Sequence, residues 1–165
     1  MSDAVHFEGL LRALRTGGVD FILIGGLAAN AHGALRTTED VDILYSRASE
    51  NLKRLVAAVA PLAPYLRGAP PGLPFRFDLE TLRAGLNFTL TTTLGPLDLL
   101  GEVTGGGSYE QLLPHSAKVD LLGTDLFCLD LDTLIRVKRA AGRPRDFQTI
   151  AELEALREER DRRGD

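Results

Sequence analysis

The chain has 165 residues, of which 44% are hydrophobic and 25% charged, with a formal net charge of −4. That length fits one domain and suffices to bury a core, and the acidic balance excludes a chain that coats nucleic acid nonspecifically while leaving room for a local basic site. The single cysteine, Cys128 in an apolar run, excludes a disulfide framework within the chain; the opening residues, with Asp3, His6 and Glu8, lack the basic start and apolar core of a signal peptide, so a cytoplasmic protein with no membrane contact is expected.

Phe7, Leu10, Leu11 and Leu14 recur at helical spacing, which predicts a packing helix over residues 4 to 15, with Asp3 as a candidate N-cap and Gly17-Gly18 as the stop. Asp20 to Ile24 is an almost continuous apolar run, as expected of a strand covered on both faces. It leads into Gly25-Gly26, a small-residue segment that reads as a short helix up to Gly33, and a second strand entered through Arg36-Thr37-Thr38-Glu39-Asp40-Val41-Asp42-Ile43. Residues at i and i+2 of a strand share a face, so Asp40 and Asp42 point the same way. Like charges held side by side repel, and are tolerated when a cation sits between them. Gly25 and Gly26, without a Cβ, can take positive φ and admit a ligand close to the backbone. The free N–H groups that open the helix at Leu27 favour an anion such as phosphate. An anion cradle beside a paired-carboxylate metal site describes Mg²⁺-nucleoside triphosphate chemistry.

Other residues of this stretch leave alternatives open. His32 reads as a packed or capping residue rather than a metal ligand, because no second histidine lies at ligand spacing. Thr37 and Thr38 either bond phosphate through their hydroxyls or only start the strand, and Arg36 either steers triphosphate or pairs with Glu39.

Gly25-Gly26, then thirteen residues, then Asp40-Val41-Asp42-Ile43, resembles the signature of the nucleotidyltransferase superfamily that includes DNA polymerase beta. The fuller string, Gly25-Gly26-Leu27-Ala28-Ala29 through His32-Gly33 and Arg36 to Asp42, is similar to the AbiEii and MenT-like toxin nucleotidyltransferases and their short relatives. The resemblance implies the nucleotidyltransferase fold, an α/β (α+β) domain with a small mixed β-sheet flanked by helices. It also implies a third carboxylate on a strand beside the one that carries Asp40 and Asp42.

Farther along, Ser49 is a candidate cap for a helix carrying Leu52, Leu55, Val56 and Val59 and ending near Pro61. Pro61 to Pro74 holds five of the eight prolines, which predicts an irregular surface loop, either bordering the substrate site or merely connecting. Asp78 caps a short helical turn through Leu82, and Leu86 to Thr93 reads as a strand with threonines on one face. Gly95 to Gly101 is a short apolar strand interrupted by Asp98, and a buried unpaired aspartate is costly. Asp98 is either the third carboxylate of the resemblance or a strand-end aspartate satisfied by backbone N–H groups. Gly105-Gly106-Gly107-Ser108 lacks the Gly-Lys-Ser/Thr ending of a phosphate loop, and Ser108 with Gln111 makes a capping box instead. Lys118 to Gly123 and Leu126 to Leu129 form a predicted hairpin around Gly123-Thr124-Asp125.

Asp132 is a candidate cap for a helix from Thr133 to Ala141, and five of the ten residues from Arg136 to Arg145 are basic. Leu134-Ile135 to Lys138, then Arg143-Pro144-Arg145-Asp146, resembles downstream motifs of AbiEii-like proteins, in which the lysine and the aspartate belong to the active site. Lys138 can meet triphosphate oxygens as a point charge, and Arg143 or Arg145 can grip phosphate with two donors. The plainer alternative is a solvated basic helix end, with Asp146 capping a last helix that turns Phe147, Ile150, Leu153 and Leu156 to the core. Residues 1–157 are read as a single nucleotidyltransferase-like domain, and 158–165 as a charged tail that frays.

The expected reaction moves a nucleoside monophosphate from NTP to an acceptor hydroxyl and releases pyrophosphate. Asp40, Asp42 and Asp98 would bind two Mg²⁺ ions, Asp98 would take the acceptor proton, Gly25 and Gly26 would hold phosphates, and Lys138 would offset leaving-group charge. By resemblance the acceptor is tRNA or a protein, with the chain acting as a toxin–antitoxin component beside an antitoxin or other partner chain. The alternatives are a small-molecule acceptor such as an aminoglycoside, and a catalytically inactive nucleotide-binding or antitoxin-like module.

Overall fold

The computed structural model describes residues 6–164, so the candidate cap Asp3 lies outside the described residues. Helix α1 (Phe7–Thr16) buries Leu10, Leu11 and Leu14 and closes at Gly17, with Gly18 in the left-handed region at φ 72°. Strand β1 (Phe21–Ile24) is buried at every position. Successive residues of a strand point to opposite faces, so full burial means that both faces of this strand are covered. Helix α2 (Gly25–Ala31) follows without a connecting loop, and β2 (Val41–Tyr45) comes next.

Helix α3 (Ser49–Val59) starts differently from its predicted cap. Ala48 holds the cap position, and the Ser46 hydroxyl, two residues earlier, accepts the Ala48 N–H. Ser49 is the first helical residue, and its hydroxyl accepts from Arg83. The proline-rich stretch is not wholly irregular. It contains a 3₁₀ turn at Ala60–Leu62 and the two-residue strand β3 (Tyr65–Leu66), a short edge strand of the kind neighbouring prolines allow. Helix α4 (Leu79–Ala84) is capped by Asp78, which accepts from the Thr81 N–H as expected. Strands β4 (Phe88–Thr92) and β5 (Gly95–Leu100) follow, then α5 (Tyr109–Leu112) with the full Ser108/Gln111 capping box.

The hairpin of β6 (Ser116–Leu121) and β7 (Thr124–Leu129) turns at Leu122-Gly123, one residue earlier than predicted. Both turn residues have positive φ, 54° and 81°, the twist that a two-residue hairpin requires. Helix α6 (Leu131–Ala141) is capped by Asp130 and not by Asp132, because Asp130 has the extended backbone of a cap and accepts from the Thr133 N–H. Asp132 lies in the first turn and faces Arg157 and Arg160. Helix α7 spans Phe147–Arg163, so helical backbone continues past residue 157 into the segment expected to fray, where Glu159 pairs with Arg162 and Arg163.

The seven strands among the described residues join one mixed sheet in the order β3-β4-β5-β2-β1-β7-β6. The β1–β2 pair is antiparallel with Ile24 opposite Asp42, and β2–β5 is parallel with Asp42 opposite Asp98. Helices α1, α3 and α4 pack in succession, and α2 packs on β1, β2 and α6, which in turn carries α7. The fold is therefore a small mixed sheet flanked by helices, as the sequence implied. Asn51 is fully buried and ties the ends of two elements together, bonding the Asp20 backbone on both sides and the Ser46 carbonyl. No helix among the described residues is long and apolar enough to cross a membrane.

Candidate active site

The two central registers build the site. Residues paired in register on parallel strands share a face, so Asp42 on β2 and Asp98 on β5 stand side by side, with Asp40 just before β2. One carboxylate oxygen from each of Asp40, Asp42 and Asp98 lies within 4.8 Å of the others. The β1–β2 register brings the end of β1 against Asp42. A Cβ on Gly25 would stand 2.0 Å from Asp42 Oδ2, and one on Gly26 would stand 2.7 Å from Thr38 Oγ1. Gly25 also has φ 73°, so neither the space nor the backbone admits a side chain there.

Crowding shows in the proton affinities of Asp42 and Asp40. Burial, the hydrogen bond to Asp98, and the charges of Asp98 and Asp40 push the Asp42 carboxyl up to about 7, against the opposing charge of Lys138. Asp40 is also raised, by burial and then by Asp98, with Arg67 and Arg145 acting the other way. A cluster in this condition favours a proton or a cation. Three carboxylates with glycine opposite one of them are a hard-oxygen donor set of the kind Mg²⁺ takes, so the residues present fit that ion.

A cleft of about 740 Å³ opens over the acids, lined by Gly25, Gly26, Asp40, Asp42, Asp98 and Lys138, with Arg36, Thr37, Thr38, Arg143, Arg145 and Asp146 farther round. All twelve candidate residues named from the sequence thus line one cavity. Lys138 on α6 is buried, and its Nζ lies 3.8 Å from Asp146 Oδ1. Burial lowers the lysine below its ordinary value, and the charge of Asp146 opposes this. Asp146 holds the position before α7, yet its side chain caps no backbone N–H; Arg143 Nε donates to its Oδ2 at 2.8 Å. Its carboxylate therefore holds the cationic side of the cleft together.

Some assignments differ from expectation. Arg36 does not pair with Glu39; its Nη1 donates to Gln148 Oε1 at 2.6 Å on α7. Phe147 is 58% exposed. The inward stripe of this segment is Asp146, Thr149, Ile150 and Leu153, and Phe147 falls off it. His32 donates its Nε2–H to the Leu129 carbonyl at 2.7 Å, a packing role. Among the described residues no backbone N–H donates to the Asp98 side chain, as the plain alternative would have it; its Oδ1 accepts from Arg67 Nη2 at 2.7 Å. Arg67, which the sequence reading passed over, is the one residue that reaches the acids from the proline-rich stretch. It is the only charged residue between Pro61 and Pro74, a signal that something nearby holds it, though not what.

No protein-family model and no curated protein sequence matches the chain. Solved structures do. A Thermotoga maritima protein provisionally assigned as a nucleotidyltransferase superposes with TM-score 0.55 at 13% identity, over 88% of each chain. ANT(2″)-Ia, solved with adenylyl-2″-tobramycin, gives TM-score 0.57 at 14% identity over 96% of this chain and 97% of its own. The lincosamide antibiotic adenylyltransferase LnuA, bound to lincomycin, gives 0.61 at 13% over 93% and 99%. Likeness at such identities is likeness of fold: the chain has the fold of nucleotidyltransferases.

Proposed function

We propose that the chain is a Mg²⁺-dependent nucleotidyltransferase that moves a nucleoside monophosphate from an NTP to an acceptor hydroxyl. The observation that carries this reading is the meeting of Asp40, Asp42 and Asp98 within 4.8 Å, beside the glycine pair and across the cleft from Lys138. Asp40, Asp42 and Asp98 would hold two divalent ions, which supply charge neutralisation at the phosphates and a lower pKa at the acceptor hydroxyl. In the transfer the acceptor oxygen bonds to the α-phosphorus, the bond to the β-phosphate bridging oxygen breaks, and pyrophosphate leaves. Asp98 would receive the acceptor proton. The space that the glycines leave is taken by Asp42 and Thr38, so phosphates would meet Gly25 and Gly26 through backbone N–H groups, with the Thr37 and Thr38 hydroxyls beside them. Lys138, held by Asp146, offsets charge on the leaving pyrophosphate, and Arg36, Arg143 and Arg145 supply further positive charge along the rim.

The acceptor has two readings. The AbiEii-like and MenT-like motifs favour tRNA or a protein, with the chain as a toxin–antitoxin component acting beside an antitoxin or other partner. Similarity over nearly the full length of LnuA and ANT(2″)-Ia favours a small molecule of the antibiotic kind. One experiment addresses both. The protein is incubated with each α-labelled NTP and Mg²⁺, and with total tRNA, cell lysate, an aminoglycoside or a lincosamide, alongside Asp40→Asn and Asp42→Asn. Transfer that appears with one acceptor class and drops by about a thousandfold or more in both variants supports the reading. Transfer that survives both substitutions places the chemistry elsewhere. NTP binding without transfer to any acceptor returns the chain to a non-catalytic nucleotide-binding module.

A further inference from the structure

Arg67 lies just beyond β3, where its N–H donates to the Thr89 carbonyl at 3.0 Å and continues the strand ladder. Its side chain reaches over β4. Nη2 donates to the Leu90 carbonyl at 2.6 Å and to Asp98 Oδ1 at 2.7 Å, and Nη1 lies 3.7 Å from Asp40 Oδ2. The Nε–H is buried and finds no acceptor among the described residues. An arginine placed for structural reasons alone would be expected to satisfy that donor, since a buried unpaired N–H is costly. Here the fork bonds the Leu90 carbonyl and faces two carboxylates of the acidic cluster, while Nε goes without a partner.

We infer that Arg67 is a tethered counter-ion of the acidic cluster, which holds Asp98 and Asp40 and competes with divalent metal for them. This rests on the reading that Asp40, Asp42 and Asp98 bind metal. A divalent ion among these carboxylates comes within a few ångströms of the guanidinium, and like charges at that range repel strongly in a partly buried site. Arg67 therefore weakens the hold of the cluster on the ion. Arg67 acts on the reaction through Asp98 and Asp40, so it is a positioning residue and sets how much metal the site requires.

The test is Mn²⁺ binding to the full chain by titration calorimetry, in wild type, Arg67→Gln, Arg67→Lys and Asp42→Asn, with circular dichroism as the folding control. Arg67→Gln is expected to bind Mn²⁺ about tenfold more tightly than wild type, the equivalent of losing one charge-assisted contact. Arg67→Lys, which keeps the charge but loses the two-pronged grip, tightens binding less, and it carries the test if Arg67→Gln does not fold. Equal or weaker binding in the folded variants, with wild-type binding still dependent on Asp42, overturns the role of Arg67 and leaves the metal site standing. Absence of Mn²⁺ binding, or binding that ignores Asp42→Asn, overturns both.

Discussion

At the scale of single residues, Asp42 carries an electrostatic cost in the acidic cluster. Its carboxyl is pushed up to about 7 in the fold from the ordinary 3.8, first because it is buried and then because Asp98 and Asp40 crowd it. A group raised on folding binds its proton more tightly in the folded state, so its contribution to stability is greatest at low pH and is lost as pH rises from about 4 to about 7. Asp42→Asn removes that titration. Without metal, the variant should melt roughly 3 °C above wild type near neutral pH and lose the downward slope across this window. Scanning fluorimetry from pH 4 to 8 in chelator measures it; an unchanged slope in the variant would assign the titration to another group. Asp42 trades stability for chemistry, and the glycine beside it is part of the same trade, because any Cβ at Gly25 would occupy the space of the Asp42 carboxylate.

At the scale of elements, the position of Lys138 depends on where α6 begins. Asp130 ends the run from β7 with an extended backbone and accepts the Thr133 N–H, so the helix starts at Leu131 and the buried Lys138 falls two turns later on the face toward the cleft. The sequence reading named Asp132, whose side chain is of the capping kind and stands directly before Thr133. The difference is measurable. Asp130→Ala should lower stability by about 1 kcal/mol, or roughly 2–4 °C in melting temperature. Asp132→Ala should change it by about 0.5 kcal/mol or less, because exposed pairs such as those with Arg157 and Arg160 contribute little. Urea melts of the two variants make the comparison, and equal losses would contradict the capping assignment.

At the scale of the molecule, the cleft draws on β1, α2, β2, β5, α6 and the start of α7, so a ligand bound there braces elements from both ends of the chain. A non-hydrolysable NTP with Mg²⁺ at about a hundredfold over its Kd should stabilise the fold by about 2.7 kcal/mol, or about 5–10 °C for a chain of this size. EDTA should remove most of the shift. A melting temperature that ignores nucleotide with and without metal would count against a nucleotide in this cleft.

Local signals carried much of this. The alternation of Asp40 and Asp42, the continuous apolar run before Gly25-Gly26, the Asp78 cap and the Ser108/Gln111 box depend on backbone sterics and on hydrogen bonds spanning a few residues, which the order of residues determines by itself. The β2–β5 register that sets Asp98 beside Asp42, the turning of Phe147 to solvent, the pairing of Arg36 with Gln148 and the reach of Arg67 to Asp98 were decided only by the tertiary structure. Each joins residues that lie far apart in the chain or depends on the face a helix presents. Such contacts are set by which surfaces pack and which charges are left needing a partner once the sheet has closed, and no local pattern encodes that.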